Sequence, residues 1–190
     1  MNLKNITQNH TPFNEQEEKD NIKDFALYQK AKEFSKKAHG DQKYGVHPYF
    51  QHLQNLNNLI DKFCDILPKE FILKLKTTAY LHDVIEDTKH DRDFLEKEFN
   101  KEIANIVFVV TNESSKKVPY EKIKKSEIAV YLKMIDRISN MEQCLLNDSF
   151  NRHKQKYILQ YPDFKKYLFS SDHPKELWNC LDELYKKSLG

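Results

Sequence analysis

The hexapeptide His82-Asp83-Val84-Ile85-Glu86-Asp87 places three carboxylates and an imidazole at the end of an apolar run that begins near Lys69. If one helix continues through it, Asp83, Glu86 and Asp87 stand at positions i, i+3 and i+4 and share a face. Like charges at that spacing repel, and a bound divalent cation is the simplest compensation. The alternative is that the helix ends near Val84 and the acids are solvated loop residues.

Composition favours a soluble protein with one domain. Charged residues make up 32% of the 190 residues and hydrophobic residues 39%, which is the balance of a well-solvated domain of ordinary size. No run approaches the ~18 apolar residues that span a bilayer, and the N-terminus lacks the apolar core of a signal peptide. We therefore expect a cytoplasmic protein with a polar tail over residues 1–20 and a single domain over residues 21–190.

Charge and cysteine content exclude several classes of protein. The formal net charge is +2, from 31 basic and 29 acidic residues. This gives no general field for binding a polyanion, so no nucleic-acid partner is expected. The three cysteines, Cys64, Cys144 and Cys180, are far apart and lack CxxC spacing. They indicate neither a disulfide framework nor a thiolate metal site.

The spacing of apolar residues predicts an all-α fold. Only three glycines are present, which leaves little material for tight turns between strands. Apolar positions recur every three or four residues. They predict helices over about residues 21–38 and 49–63, from residue 69 to the acidic hexapeptide, and over 94–99, 103–110 and 126–146, with two more nearer the C-terminus. Propensity alone would also allow a strand at Val107–Val110. We expect residues 39–48 and 111–125 to be loops, within a compact bundle of about seven to nine helices.

Four side chains on three predicted helices have the chemistry of metal ligands. His52, His82, Asp83 and Asp136 supply two imidazoles and two carboxylates, a mixture that suits Mn²⁺, Fe²⁺ or a related divalent ion. Four protein ligands on an octahedral ion leave two positions open, for water and a phosphate oxygen. The alternatives are that His52 is a hydrogen-bonded packing residue and that Asp136 pairs with a basic neighbour on its own helix.

A polar stripe runs along the helix that carries Asp136. Lys133, Asp136, Arg137 and Asn140 lie at positions i, i+3, i+4 and i+7 and so form one continuous face. Apolar residues flank this stripe, which places Asp136 at the border of the core.

Four blocks of sequence carry a resemblance to a known family. They are Ala38-His39-Gly40-Asp41-Gln42, Pro48-Tyr49-Phe50-Gln51-His52, Leu81-His82-Asp83-Val84-Ile85-Glu86-Asp87-Thr88 and Lys133-Met134-Ile135-Asp136-Arg137-Ile138-Ser139-Asn140-Met141. In these blocks, and in their order, the chain resembles the HD-domain metal-dependent phosphohydrolases. Within that family it is most similar to the alarmone (ppGpp) hydrolases related to the hydrolase half of the RelA/SpoT proteins. The resemblance extends over roughly residues 25 to 185.

The resemblance implies an HD-domain helical bundle with a catalytic metal. The family's ligands map to His52, His82, Asp83 and Asp136, with Mn²⁺ as the expected ion and Fe²⁺, Co²⁺, Ni²⁺ or Zn²⁺ as the others possible. The metal would activate a water for attack on phosphorus. Glu86 and Asp87 would orient or deprotonate this water and protonate the leaving oxygen. The implied activity is hydrolysis of ppGpp to GDP and pyrophosphate.

The resemblance also implies contacts to a small nucleotide substrate. Asn140 is expected to hydrogen-bond the nucleotide. The basic residues Lys43, Lys133 and Arg137 are expected to contact either the phosphates or the side chains that bind the metal. For Arg137 the alternative is a structural ion pair. Tyr44 either stacks on a base or packs on its own loop. His39 belongs to a family block but is not one of its metal ligands, and we expect it to make a structural hydrogen bond.

One loop departs from the family pattern. Alarmone hydrolases usually carry adjacent basic residues before Pro-Tyr, whereas this loop reads Gln42-Lys43-Tyr44-Gly45-Val46-His47. This leaves two alternatives to ppGpp hydrolysis: a 5'-nucleotidase or other nucleotide phosphomonoesterase or phosphodiesterase, and a non-catalytic nucleotide-sensing module. The sequence does not determine the oligomeric state.

Overall fold

The computed structural model describes residues 15–112, 119–147 and 151–190 and confirms the predicted all-α fold. The helices are α1 (Glu15–His39), α2 (Tyr49–Lys62), α3 (Ile72–Leu81), α4 (Val84–Asp87), α5 (Arg92–Glu98), α6 (Lys101–Val110), α7 (Tyr120–Ile123), α8 (Glu127–Leu146), α9 (Asn151–Leu168) and α10 (Lys175–Leu189). A 3-10 turn, Lys69–Phe71, precedes α3. In this part of the chain, no helix has the length and hydropathy that crossing a membrane requires.

The N-terminal helix is longer than predicted. α1 begins at Glu15 rather than near residue 21, so part of the predicted polar tail is helical, and residues 1–14 lie outside the described residues. The six added residues, 15–20, are all charged or polar, beginning with Glu15 and Gln16. Such residues form helices well, and acids suit a helix N-terminus, but they carry no apolar periodicity by which the turn could be recognised.

Helix α8 is the centre of the bundle. It packs against α2, α3, α6, α7, α9 and α10, and most of its side chains are buried, including the polar or charged Lys133, Arg137 and Asn140. A second apolar cluster, which includes Leu53, Leu81 and residues of α5 and α6, lies beside the α8 core. Since α2, α3 and α8 also contact one another, the predicted ligand-bearing helices meet at one place.

The loop predicted over residues 39–48 contains a small β-hairpin. Strands β1 (Lys43–Tyr44) and β2 (His47–Pro48) pair antiparallel, with Tyr44 opposite His47. Gly45 begins the two-residue turn with a φ of 61°, a conformation that glycine adopts without the steric cost other residues incur. The pairing of the two strands therefore fixes the backbone position from which the Tyr44 side chain extends.

Candidate metal centre and active site

A helix break separates the three carboxylates of the hexapeptide. α3 ends at Leu81, and Asp83 has φ −104° and ψ 3° before α4 begins at Val84. The prediction that one helix carries Asp83, Glu86 and Asp87 on a shared face is therefore wrong. The alternative prediction of solvated loop acids is also wrong in part, because each carboxylate has a protein partner.

The structure brings the four predicted metal ligands together. One ligand atom from each of His52, His82 and Asp83 lies within 4.8 Å of the others. The Oδ1 atom of Asp136 lies 3.4 Å from His52 Nε2 and 3.8 Å from His82 Nε2. α2 supplies the first histidine, the α3–α4 break supplies the His-Asp pair, and α8 supplies the second aspartate.

The hydrogen bonding of His82 fits a metal ligand. Its Nδ1 lies 3.0 Å from the carbonyl oxygen of Ala79, an acceptor, so Nδ1 carries a proton and Nε2 is the nitrogen left to bind a metal. That Nε2 lies 2.8 Å from Asp83 Oδ2. An imidazole nitrogen and a carboxylate oxygen at this distance need a proton or a cation between them. Burial lowers the pKa of His82, but the Asp83 and Asp136 carboxylates outweigh burial and raise it to about 9, so a proton is the competitor that a metal must displace.

Both carboxylates of the cluster are held in the ionised form. Burial raises the pKa of Asp83, but the imidazolium of His82 lowers it more, and the net pKa lies below the usual range. Burial likewise raises the pKa of Asp136, and Lys133, followed by His52 and His82, brings it well below the usual range. Two anionic oxygens with two imidazole nitrogens form a donor set that fits a divalent ion of the Mn²⁺ to Zn²⁺ series.

Further side chains surround these ligands. Asp136 accepts hydrogen bonds from Lys133 Nζ at 3.1 Å and from Asn140 Nδ2 at 2.6 Å, so the predicted pairing with a basic neighbour exists alongside the ligand cluster. Tyr44 donates to Asn140 Oδ1 at 2.7 Å, and its ring stacks on His52 with 4.6 Å between centroids. Tyr49 donates a hydrogen bond to Asp83 Oδ2.

Glu86 and Asp87 have separate partners. Asn112 donates to Glu86 Oε2 from its backbone nitrogen at 3.1 Å and from Nδ2 at 2.9 Å. Gln42 Nε2 donates to Asp87 Oδ2 at 2.8 Å, and Gln42 Oε1 lies 2.7 Å from His39 Nδ1. His39 thus makes the structural hydrogen bond expected of it.

A pocket of about 290 Å³ opens beside the ligand cluster. Among the described residues, its walls include every predicted site residue except His82 and Asp87. His82 is only 1% exposed and lies behind the other ligands. Asp87 faces Gln42 instead. The structure therefore separates the two predicted catalytic acids, with Glu86 on the pocket and Asp87 beside it.

One wall of the pocket was not predicted. His153, Lys156, Tyr157 and Gln160 of α9 line it, and their i, i+3, i+4, i+7 spacing is that of one helical face. Asn112 lines the pocket as well. The spacing on α9 was visible in the sequence, but nothing in the sequence indicated that this helix passes the ligand cluster.

Arg137 is a buried cation on the pocket wall. It is 5% exposed, and its guanidinium carbon lies 4.6 Å from the ring centre of Tyr157 and 5.1 Å from that of Phe164. Its Nη2 donates to Gln160 Oε1 at 3.1 Å. Within residues 15–112, 119–147 and 151–190, Arg137 forms no ion pair with an acidic side chain, and its Nη1 has no hydrogen-bond partner. The alternative of a structural ion pair is therefore wrong for this part of the chain.

Comparison with known proteins shows a solved structure with a similar fold. No family model matches the chain, and no curated protein matches it. Among solved structures, the chain is similar to a metazoan ortholog of SpoT that hydrolyzes ppGpp and plays a role in starvation responses. The TM-score is 0.70 at 20% sequence identity, and the match covers 85% of this chain and 95% of the other. The resemblance noted from the sequence is confirmed at the level of architecture: the chain has the HD-domain fold of a ppGpp hydrolase.

Proposed function

We propose that the protein is a metal-dependent phosphohydrolase acting on a phosphorylated nucleotide, with guanosine 3',5'-bis(diphosphate) as the leading substrate and its 3'-pyrophosphate as the leaving group. One observation carries the proposal: two buried histidines and two partly buried aspartates lie together beside a pocket that also contains a buried guanidinium, which has no carboxylate partner in the part of the chain that the structure describes. The first feature suits a divalent cation and the second suits an anion. A phosphate ester or pyrophosphate satisfies both.

The proposed ligands are His52, His82, Asp83 and Asp136, with Mn²⁺ as the leading ion. A divalent ion bound there supplies a water of lowered pKa and neutralises charge on phosphoryl oxygens. The His82 Nδ1 hydrogen bond to Ala79 fixes which nitrogen faces the ion, and the Asn140 hydrogen bond orients the Asp136 carboxylate. These contacts favour a preformed site.

We assign the role on the attacking water to Glu86. Its carboxylate borders the pocket, and Asn112 fixes its position with two donors, so Glu86 can face a water in the pocket and accept its proton. The family resemblance implies that Asp87 protonates the leaving oxygen, but we assign it only a supporting role, because it is not among the residues that line the pocket. Its contact with Gln42 gives it a fixed position next to, rather than on, the pocket wall.

We assign phosphate binding to the cations of the pocket. Lys43, Lys133 and Arg137 line it, and α9 adds Lys156. A buried guanidinium without a carboxylate partner is costly, and a substrate phosphate would offset this cost with charge-assisted hydrogen bonds. The aromatic faces that flank Arg137 hold its side chain in place without supplying a negative charge.

We propose that Tyr44 and Asn140 contact the nucleoside part of the substrate, since both line the pocket. The similar structure belongs to a protein that hydrolyzes ppGpp, which supports the same substrate here. The Lys43-Tyr44 sequence, in place of adjacent basic residues, is the reason to test other nucleotides beside it.

The test is a substrate panel with purified protein and Mn²⁺. The panel contains ppGpp, nucleoside 5'-monophosphates, cyclic nucleotides and NADPH, and Asp83→Ala is the control. We expect pyrophosphate release from ppGpp alone, with a loss of more than ~100-fold in kcat/KM for Asp83→Ala because a metal ligand is missing. Inorganic phosphate from monophosphates would instead identify a nucleotidase. Binding of a nucleotide with no turnover would identify a sensing module and overturn the enzyme proposal.

A further inference from the structure

Tyr44 lies beside the proposed metal ligands, where it contacts His52 directly and is linked to Asp136 by Asn140. Its ring lies on His52, and its hydroxyl reaches Asp136 through Asn140. The residue comes from the β1–β2 hairpin, which is distant in sequence from both α8 and the hexapeptide. A side chain that joins a hairpin to two ligands is in a position to control their geometry.

The hydroxyl of Tyr44 acts on Asp136 through Asn140. It donates to Asn140 Oδ1 at 2.7 Å. This bond fixes the orientation of the Asn140 amide, so that Nδ2 points to Asp136 Oδ1 at 2.6 Å and to the Asp136 carbonyl oxygen at 2.9 Å.

The ring of Tyr44 acts on His52 in the place of a hydrogen bond. A histidine that binds a metal usually donates its other ring nitrogen to a fixed acceptor, which orients the imidazole. His82 follows this rule through Ala79, whereas Nδ1 of His52 is buried with no hydrogen-bond partner among the described residues. The Tyr44 ring lies 25° from the plane of the His52 ring, so stacking restrains an imidazole whose Nδ1 has no acceptor among the described residues.

We infer that Tyr44 is a positioning residue of the metal centre, which orients His52 by ring stacking and Asp136 through the Asn140 amide. The inference rests on the proposed metal site and adds to it a requirement for the hairpin. It predicts that changes at Tyr44 weaken metal binding even when no nucleotide is present. A tyrosine that only packed the hairpin against the bundle would leave the metal affinity unchanged.

The test measures the dissociation constant of Mn²⁺ by calorimetry for a set of variants. Tyr44→Phe keeps the stack and loses the donor, and Tyr44→Ala loses both. Val46→Ala changes an exposed residue of the same hairpin, 71% exposed, and is the matched control. We expect about tenfold weaker Mn²⁺ binding for Tyr44→Phe, up to about 100-fold for Tyr44→Ala, and no change for Val46→Ala.

A double-mutant cycle with Asn140→Ala tests the path to Asp136. If Tyr44 acts through Asn140, adding Tyr44→Phe to Asn140→Ala causes no further loss of Mn²⁺ affinity. Additive losses of Mn²⁺ affinity from the two substitutions would overturn the inference. A Tyr44→Ala protein that binds Mn²⁺ within twofold of the wild type would also overturn it, and so would a wild-type protein that binds no Mn²⁺. Melting curves of the metal-free variants show whether each is folded. If Tyr44→Ala does not fold, the double-mutant cycle with Tyr44→Phe still tests the inference.

The experiment separates this inference from the proposed activity. A protein that shows the expected cycle but hydrolyses no nucleotide would retain the positioning role and lose the proposed function. A protein that hydrolyses ppGpp while Tyr44→Ala binds Mn²⁺ normally would retain the function and lose the positioning role.

Discussion

Glu86 and Asp87 are adjacent residues whose carboxylates face different surroundings. Glu86 borders the pocket under two donors from Asn112, while Asp87 is bound by Gln42. We predict that Glu86→Gln lowers kcat by about 100-fold or more, as removal of a general base does, with Mn²⁺ affinity within about twofold of the wild type. Asp87→Asn should lower kcat by less than about tenfold. Steady-state kinetics on the substrate found in the panel, with Mn²⁺ titrations of both variants, measure these effects.

The matched pair also tests the sequence-based prediction that both acids act in catalysis. An equal loss of kcat in Asp87→Asn and Glu86→Gln would support that prediction and contradict the division of roles by pocket position. Loss of Mn²⁺ binding in Glu86→Gln would show instead that Glu86 supports the ligands.

At the residue scale, the sequence predicted the proposed ligands and several residues around them, but not most of the contacts that these side chains make with one another. Residue type and the four blocks of resemblance were enough to propose His52 and Asp136 as ligands. In the structure, His52 Nε2 lies 3.4 Å from Asp136 Oδ1. Asn112 could not be predicted as the partner of Glu86, because the two are 26 positions apart and nothing local marks the end of α6 as a donor. Tyr44 was predicted to stack on a base or on its loop, and its contact with His52 depends on tertiary packing.

At the scale of elements, a small polar network joins the two C-terminal helices. Asp182 of α10 accepts from Tyr161 Oη at 2.7 Å and from Lys165 Nζ at 2.8 Å, both on α9. Burial raises the pKa of Asp182, but the hydrogen bonds from Lys165 and Tyr161 lower it more, so the net shift is downward. A depressed carboxyl pKa stabilises the fold above the unfolded pKa of about 3.9, and this contribution disappears as the pH falls through the folded value.

We therefore predict that Asp182→Asn lowers the free energy of unfolding at pH 7 by about 1 kcal/mol, since the network is partly exposed. The difference from wild type should shrink as the pH falls below about 3.9. Urea denaturation at a series of pH values measures it. Asp163→Asn on the exposed side of α9 is the matched control and should change stability by less than about 0.5 kcal/mol. A deficit for Asp182→Asn that is the same at pH 3 and pH 7 would contradict the assignment.

Helix boundaries show where periodicity is informative. α2 and α8 were predicted to within about one residue at each end, because each has an apolar stripe that packs against several neighbours. The start of α1 was missed because its first turn is polar. The α3–α4 break was missed because its cause is tertiary: Asp83 leaves the helical path and meets Tyr49 and His82, and no glycine or proline marks the position.

At the scale of the whole molecule, the proposed metal centre lies where the two apolar clusters meet. α2 supplies Leu56 to one cluster and Leu53 to the other, and α3 supplies Ala79 and Leu81 in the same way. Both clusters are apolar and contiguous, so packing alone can hold the fold. Cores of this kind tolerate many apolar substitutions when volume and pattern are kept, which is consistent with a shared architecture at 20% identity.

This arrangement predicts how the metal affects stability. The proposed ligands come from α2, the α3–α4 break and α8, so an ion bound by all of them would bind the folded chain and not the unfolded one. At a free Mn²⁺ concentration 100 times the dissociation constant, the stabilisation is about 2.7 kcal/mol, which corresponds to a rise in Tm of roughly 5–10 °C for a chain of this size. Thermal unfolding followed by circular dichroism, with Mn²⁺ and with a chelator, measures the rise. The chelated protein should keep its helical spectrum, and Asp83→Ala should show no dependence of Tm on Mn²⁺. If Asp83→Ala gained as much Tm as the wild type, Mn²⁺ would be binding elsewhere on the protein, and the three helices would not be joined through this site.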